Sequence, residues 1–135
     1  MLQRQHEADN LSYCHDHKIA FLAYSPMALG ILSGKIGPDH QLGEGDVRRG
    51  NPWYQKENRS KVDSLLDVIR AVAEGKSITV AQAVIAWTLA QPGCTHALVG
   101  ARNPDQAIAN AKAGGVELTQ DEVRIIRKVV DQTKL

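Results

Sequence analysis

The sequence is poor in cysteine and aromatic residues, nearly balanced in charge, and without a long apolar run. Its two cysteines, Cys14 and Cys94, stand far apart and form no Cys-x-x-Cys pair. They read as free thiols in a reducing compartment rather than as a disulfide framework. Aromatic residues make up only 4% of the chain, too few for a base-stacking platform. The net charge of +1 gives no electrostatic reason to expect nucleic acid or an acidic membrane surface. No apolar stretch approaches the roughly 20 residues that a membrane span requires. The first residues, Met1-Leu2-Gln3-Arg4-Gln5-His6-Glu7, are polar and charged, unlike a secretory leader. These absences point to the cytoplasm, with neither a nucleic acid nor a membrane as partner.

What remains is ordinary for one globular domain: 135 residues, 43% apolar and 23% charged, enough to enclose a core. Glu7 to Lys18 reads as a helix with Ala8, Leu11 and Cys14 or His15 on its inner stripe. His15 and His17 sit two apart and so point to different helix faces, which suits solvated side chains better than metal ligands. Ile19 to Tyr24 is a short continuous apolar run, as expected of a strand buried on both faces of a parallel sheet. From Pro26 to about Asn58 the chain is punctuated by Gly and Pro without a clear period. Lys35, Arg48 and Arg49 lie in this stretch, either to close over an anionic ligand or to keep a mobile loop soluble.

Ser60 to Glu74 reads as a helix carrying Val62, Leu65, Leu66, Ile69, Val72 and Ala73 on one face, stopped at Gly75. Thr79-Val80-Ala81-Gln82 is a capping box opening a second helix that runs to Pro92, with Trp87 as a core residue. Thr95 to Val99 is the second strand. Thr119-Gln120-Asp121-Glu122 is another capping box, opening a last helix over Val123, Ile126, Val129 and Val130. Strands alternating with helices give an α/β fold.

The richest stretch is Gly100-Ala101-Arg102-Asn103-Pro104-Asp105-Gln106, continuing to Asn110. Asn103 is a good N-cap, Pro104 suits the first helical position, and Gln106 stands where a capping box needs it. A strand, a tight glycine turn and a helix N-terminus leave free N–H groups and a dipole that favour an anion, with Arg102 placed to add a charged fork. A plain structural turn accounts for the same residues.

A second stretch, Tyr24-Ser25-Pro26-Met27-Ala28-Leu29-Gly30-Ile31-Leu32-Ser33-Gly34-Lys35, follows the first strand. Together the two resemble the C-terminal half of an aldo-keto reductase. That family carries a Y-S-P-L-x-x-G-x-L-T-G-K-like run after the seventh barrel strand and a G-A-[RS]-x-x-x-Q-x-x-E-N-like run after the eighth. The resemblance implies a partial (β/α)8 TIM barrel, with residues 1–135 forming a single incomplete barrel segment and a long cofactor loop at about 26–58. It also implies NADPH as cofactor. Ser25 would touch the pyrophosphate, Met27, Leu29 and Gly30 would line the cofactor, and Lys35 would bind it from the same loop. Gly100 and Ala101 would let the adenosine approach, Arg102 and Gln106 would hold the 2′-phosphate, and Asn110 the adenine edge.

Two departures from the family pattern stand out. Ala109 occupies the place of the usual Glu beside Asn110. The family's Asp-Tyr-Lys-His tetrad belongs to the first half of the barrel, which this chain does not contain, so no catalytic residue is assigned. The implied parent activity is NADPH-dependent reduction of an aldehyde or ketone, with this chain inactive alone. The alternative is a non-catalytic half-barrel assembly module that has lost nucleotide affinity. Such a barrel takes about 250 residues, so the open strand edges are expected to pair with a second copy in a homo-oligomer or with the barrel's missing N-terminal half.

Overall fold

The computed structural model describes residues 1–135. Its opening differs from the single helix expected over Glu7 to Lys18. A wide helical turn over Glu7–Leu11, in which the Leu11 N–H reaches the His6 carbonyl at 2.9 Å, runs into a short helix α1, Ser12–Asp16. Leu11 is its one buried side chain, while Ala8 is exposed and Cys14 half-buried. A single anchoring residue does not sustain a regular apolar stripe, and the chain leaves the helix at Lys18 with φ 56°.

Strands β1, Phe21–Tyr24, and β2, Cys94–Leu98, form a two-stranded parallel sheet. The register sets Leu22 opposite His96, Ala23 opposite Ala97 and Tyr24 opposite Leu98, with an irregularity after Phe21. The Thr95 hydroxyl donates to the Phe21 carbonyl at 2.8 Å across this irregularity. The expectation of a strand buried on both faces is overturned. Leu22, Tyr24, His96 and Leu98 share one face and are all exposed, Tyr24 by 86%. Burial on both faces needs cover on both, and this chain supplies helices for one face only.

Helix α2, Lys56–Gly75, starts four residues before the expected Ser60 because its first turn is polar and carries no apolar signal. It buries Val62, Leu65, Leu66, Ile69 and Ala73. Helix α3, Val80–Leu89, opens with the expected capping box, in which Thr79 and Gln82 bond reciprocally. Ala83 through Thr88 are buried in succession, so α3 is enclosed on all sides between α2, β2 and the turn Ala113–Gly115. Helix α4 spans Pro104–Lys112, and α5, Gln120–Gln132, opens with the second expected capping box at Thr119 and Glu122.

Trp87 lies in the core at 1% exposure, and its indole N–H donates to the Val123 carbonyl at 3.3 Å. The Arg127 guanidinium lies 4.9 Å from the Trp87 ring centroid and also bonds Glu7 at 2.7 Å and the Gln91 side chain. This ties α5 to the N-terminal segment through a cation–π contact and an ion pair. Gly93 closes the same corner. With φ +86° and the Leu11 carbonyl oxygen 2.4 Å from where a Cβ would stand, no other residue fits there without displacement.

Candidate nucleotide site

The parallel register determines what the two turns can do together. Tyr24 pairs with Leu98, so the residues that follow each strand leave the same edge of the sheet side by side. Ser25 and Gly100 therefore open two neighbouring turns at the C-terminal ends of parallel strands, where barrels of this construction bind ligands.

In the first turn, Ser25 (φ 53°), Ala28 (φ 47°), Leu29 (φ 58°) and Gly30 (φ 96°) all adopt left-handed backbone. Each non-glycine residue in that region costs on the order of 1–3 kcal/mol, so the surrounding contacts must hold the turn. The Ala28 and Gly30 N–H groups bond the Ser25 and Met27 carbonyls, each at 2.9 Å, and the Tyr54 hydroxyl donates to the Leu29 carbonyl at 2.7 Å. Ile31, Leu32 and Ile36 are buried and anchor the far side. Met27 is half-buried, Leu29 and Lys35 are exposed, and the Lys35 amine makes no ion pair within the chain.

In the second turn Gly100, Ala101 and Arg102 are exposed. The Asn103 side chain accepts from the Gln106 N–H at 2.9 Å, as the capping pattern requires. The reciprocal half differs from expectation, because the Gln106 side-chain oxygen Oε1 accepts from the Arg102 N–H, at 2.9 Å, one residue before the cap. The Asn110 side-chain amide donates to the Gly100 carbonyl at 3.2 Å. Gln106 and Asn110 thus each commit one polar atom to shaping the turn, and each keeps its other amide atom free of protein partners. Nothing in the chain comes within 4 Å of where a Gly100 Cβ would stand. The fold itself gives no reason for glycine there, and the open flank suits the close approach of a flat ligand.

The long loop is more ordered than its composition foretold. Short 3-10 turns form at Ala28–Ser33, Val47–Gly50 and Pro52–Tyr54. Asp46 caps the second of these and grips Arg48 through two oxygens, at 2.8 Å and 2.5 Å. Arg48 in turn stands 5.5 Å from the centroid of the buried Tyr54 ring, and Arg49 bonds the Leu42 carbonyl at 2.7 Å. Of the three loop cations read as either closing over an anion or keeping the loop soluble, Arg48 and Arg49 are thus occupied within the loop itself. The Arg48 side-chain bonds hold the Asp46 carboxyl well below the usual carboxylate range, and the positive charge of Arg102 contributes from farther away. Burial pushes the Tyr54 phenol up, so it stays protonated and able to donate.

An open cleft of about 270 Å³ runs beside β1, lined among others by Leu2, Phe21, Tyr24, Ser25, Trp53 and Trp87. Ser25 is the one cofactor-assigned residue that lines it. Burial also pushes up the Cys94 thiol at its floor, opposing thiolate formation. Tyr13 stacks on His17 at 4.0 Å, Tyr24 projects from the open sheet face, and Tyr54 is bonded to Leu29. No three His, Cys, Asp or Glu side chains stand together as metal ligands would, and no helix is long and apolar enough to cross a membrane.

Known proteins share this arrangement. The Aldo/keto reductase family matches residues 1–131. The NADH-specific methylglyoxal reductase of Escherichia coli K12 is 29% identical over 97% of this chain. The aldo-keto reductase yakc [NADP(+)] of Schizosaccharomyces pombe is 32% identical over 90% of it. The glycerol dehydrogenase AKR11B4 of Gluconobacter oxydans superposes with a TM-score of 0.87 at 30% identity, over 97% of this chain. The chain spans 40%, 36% and 40% of these three proteins, respectively. The paired turns, the parallel strands that carry them and these matches together establish that the chain belongs to the aldo/keto reductase family, as a C-terminal portion of its (β/α)8 barrel.

Proposed function

We propose that this chain is the NADP(H)-binding part of an aldo-keto reductase whose complete form reduces an aldehyde or ketone, and that the chain is inactive alone. The observation that carries this reading is the side-by-side placement of the Ser25 turn and the Gly100-Ala101-Arg102 turn at one sheet edge. In this reading the strained Ser25–Gly30 backbone, with Lys35 nearby, faces the pyrophosphate. Gly100 and Ala101 give the adenosine room. Arg102, exposed beside the N-terminus of α4, forks onto the 2′-phosphate together with the free amide of Gln106, while the free carbonyl of Asn110 meets the adenine. Bound NADPH would supply the hydride for the reduction.

Arg102 is the reason for preferring the phosphorylated cofactor, since a guanidinium beside a helix N-terminus suits a dianion. Relatives with names specifying NADH and NADP(+) make this preference a matter for direct measurement. Titration of the chain with NADPH, followed by fluorescence or calorimetry, tests the reading. Micromolar binding without carbonyl reduction supports it, and no binding sinks it.

A second reading, a half-barrel that assembles without binding nucleotide, draws on the exposed sheet face of Leu22, Tyr24 and Leu98. A second copy or the barrel's first half would cover that face, in a cytoplasmic assembly. Retention of the chain as an oligomer with no response to NADPH favours this second reading.

A further inference from the structure

One hydrogen bond joins the long loop to the strained turn across 25 residues of chain. The Tyr54 hydroxyl donates to the Leu29 carbonyl at 2.7 Å, and Leu29 is the central member of three consecutive left-handed residues, Ala28, Leu29 and Gly30. Leu29 itself is exposed, so its side chain does little to hold its backbone. Tyr54, by contrast, is 4% exposed, fixed among the core residues and flanked by the Arg48 guanidinium 5.5 Å from its ring centroid. Arg48 is held in turn by the Asp46 carboxylate. A rigid donor thus grips a carbonyl that the turn would otherwise be free to rotate.

We infer that Tyr54 is a positioning residue for nucleotide binding: its hydroxyl locks the left-handed Ala28–Gly30 backbone through the Leu29 carbonyl, so that the Ser25 turn is preshaped for the dinucleotide. This inference rests on the proposed nucleotide site. Preshaping matters because a turn that must be ordered during binding loses affinity to that ordering. The chain Asp46, Arg48, Tyr54, Leu29 makes the loop a brace for the turn, and the acidic and aromatic members of the brace need not touch the cofactor.

The test compares the wild-type chain with Tyr54→Phe, which keeps the buried ring beneath the Arg48 guanidinium and removes the hydroxyl with its hydrogen bonds. Tyr13→Phe, at an exposed tyrosine remote from the turn, is the control. Two quantities are read: NADPH affinity, and hydrogen exchange at the Ala28, Gly30 and Leu32 amides, which bond within the turn. Tyr54→Phe is expected to accelerate exchange at these three amides at least tenfold and to weaken NADPH binding about tenfold, with exchange in α3 unchanged. The control leaves both quantities at wild-type values. Unchanged exchange in Tyr54→Phe overturns the inference, as does faster exchange with unaltered NADPH affinity. A wild-type chain that fails to bind NADPH overturns the nucleotide site and the positioning role with it; wild-type binding equal to that of Tyr54→Phe overturns the positioning role alone.

Discussion

The Asn110 side chain donates to the Gly100 carbonyl at 3.2 Å, tying the last turn of α4 back to the second residue after β2. This bond and the one from the Arg102 N–H to Gln106 shape the turn from within. Residues that the family resemblance assigns to a ligand thus also build the loop that would present the ligand with its backbone.

Gly100 separates these two roles. Its φ lies outside the left-handed region, and no protein atom comes within 4 Å of the position that an added methyl would take. Gly100→Ala is expected to leave thermal stability unchanged or raise it by about 0.4–1 kcal/mol through the unfolded chain. The same methyl is expected to weaken NADPH binding by about tenfold, or ~1.4 kcal/mol. Melting curves and a titration on one sample measure both.

Gly93 behaves oppositely. A Cβ there would meet the Leu11 carbonyl oxygen at 2.4 Å in a left-handed backbone. Gly93→Ala is expected to destabilise the fold by more than about 2 kcal/mol, read by denaturant unfolding. The loss reports on the packing of the N-terminal segment against the start of β2.

Asp46 makes the loop sensitive to acid. Its carboxyl is held below its ordinary value of 3.8, chiefly by the Arg48 side-chain bonds. A depressed folded-state pKa contributes stability that is complete above the unfolded value and is lost as pH falls through the folded one. Loosening of the loop is therefore expected as pH drops below about 4, with a small amplitude because the pair is solvent-screened. The protection of the Arg48 amide against exchange, relative to its intrinsic rate at each pH, follows this loss, since that amide bonds Asp46 at 3.0 Å. Asp46→Asn is expected to remove the pH dependence of the protection.

Much of the architecture was legible because it is local. The boxes at Thr79 and Thr119 and the Asn103 cap depend on neighbours a few residues away. The early start of α2 was hidden because Lys56, Glu57 and Asn58 carry no apolar period. The order in the long loop depends on pairs distant in sequence, such as Tyr54 with Leu29, and on the burial of Ile31, Leu32 and Ile36, which no periodicity marks. The exposure of Leu22 and Tyr24 could not be read from an apolar run at all, since it depends on what lies opposite the strand.

Arg102 provides the most direct test of the account. Its side chain is exposed and makes no ion pair within the chain, so Arg102→Ala leaves the fold intact. A charge-assisted hydrogen bond to phosphate contributes about 1.5–3 kcal/mol, so NADPH binding is expected to weaken by roughly tenfold to 150-fold. NADH binding, measured in parallel, is expected to stay unchanged. An equal effect on both cofactors, or none on NADPH, would contradict the assignment of Arg102 to the 2′-phosphate.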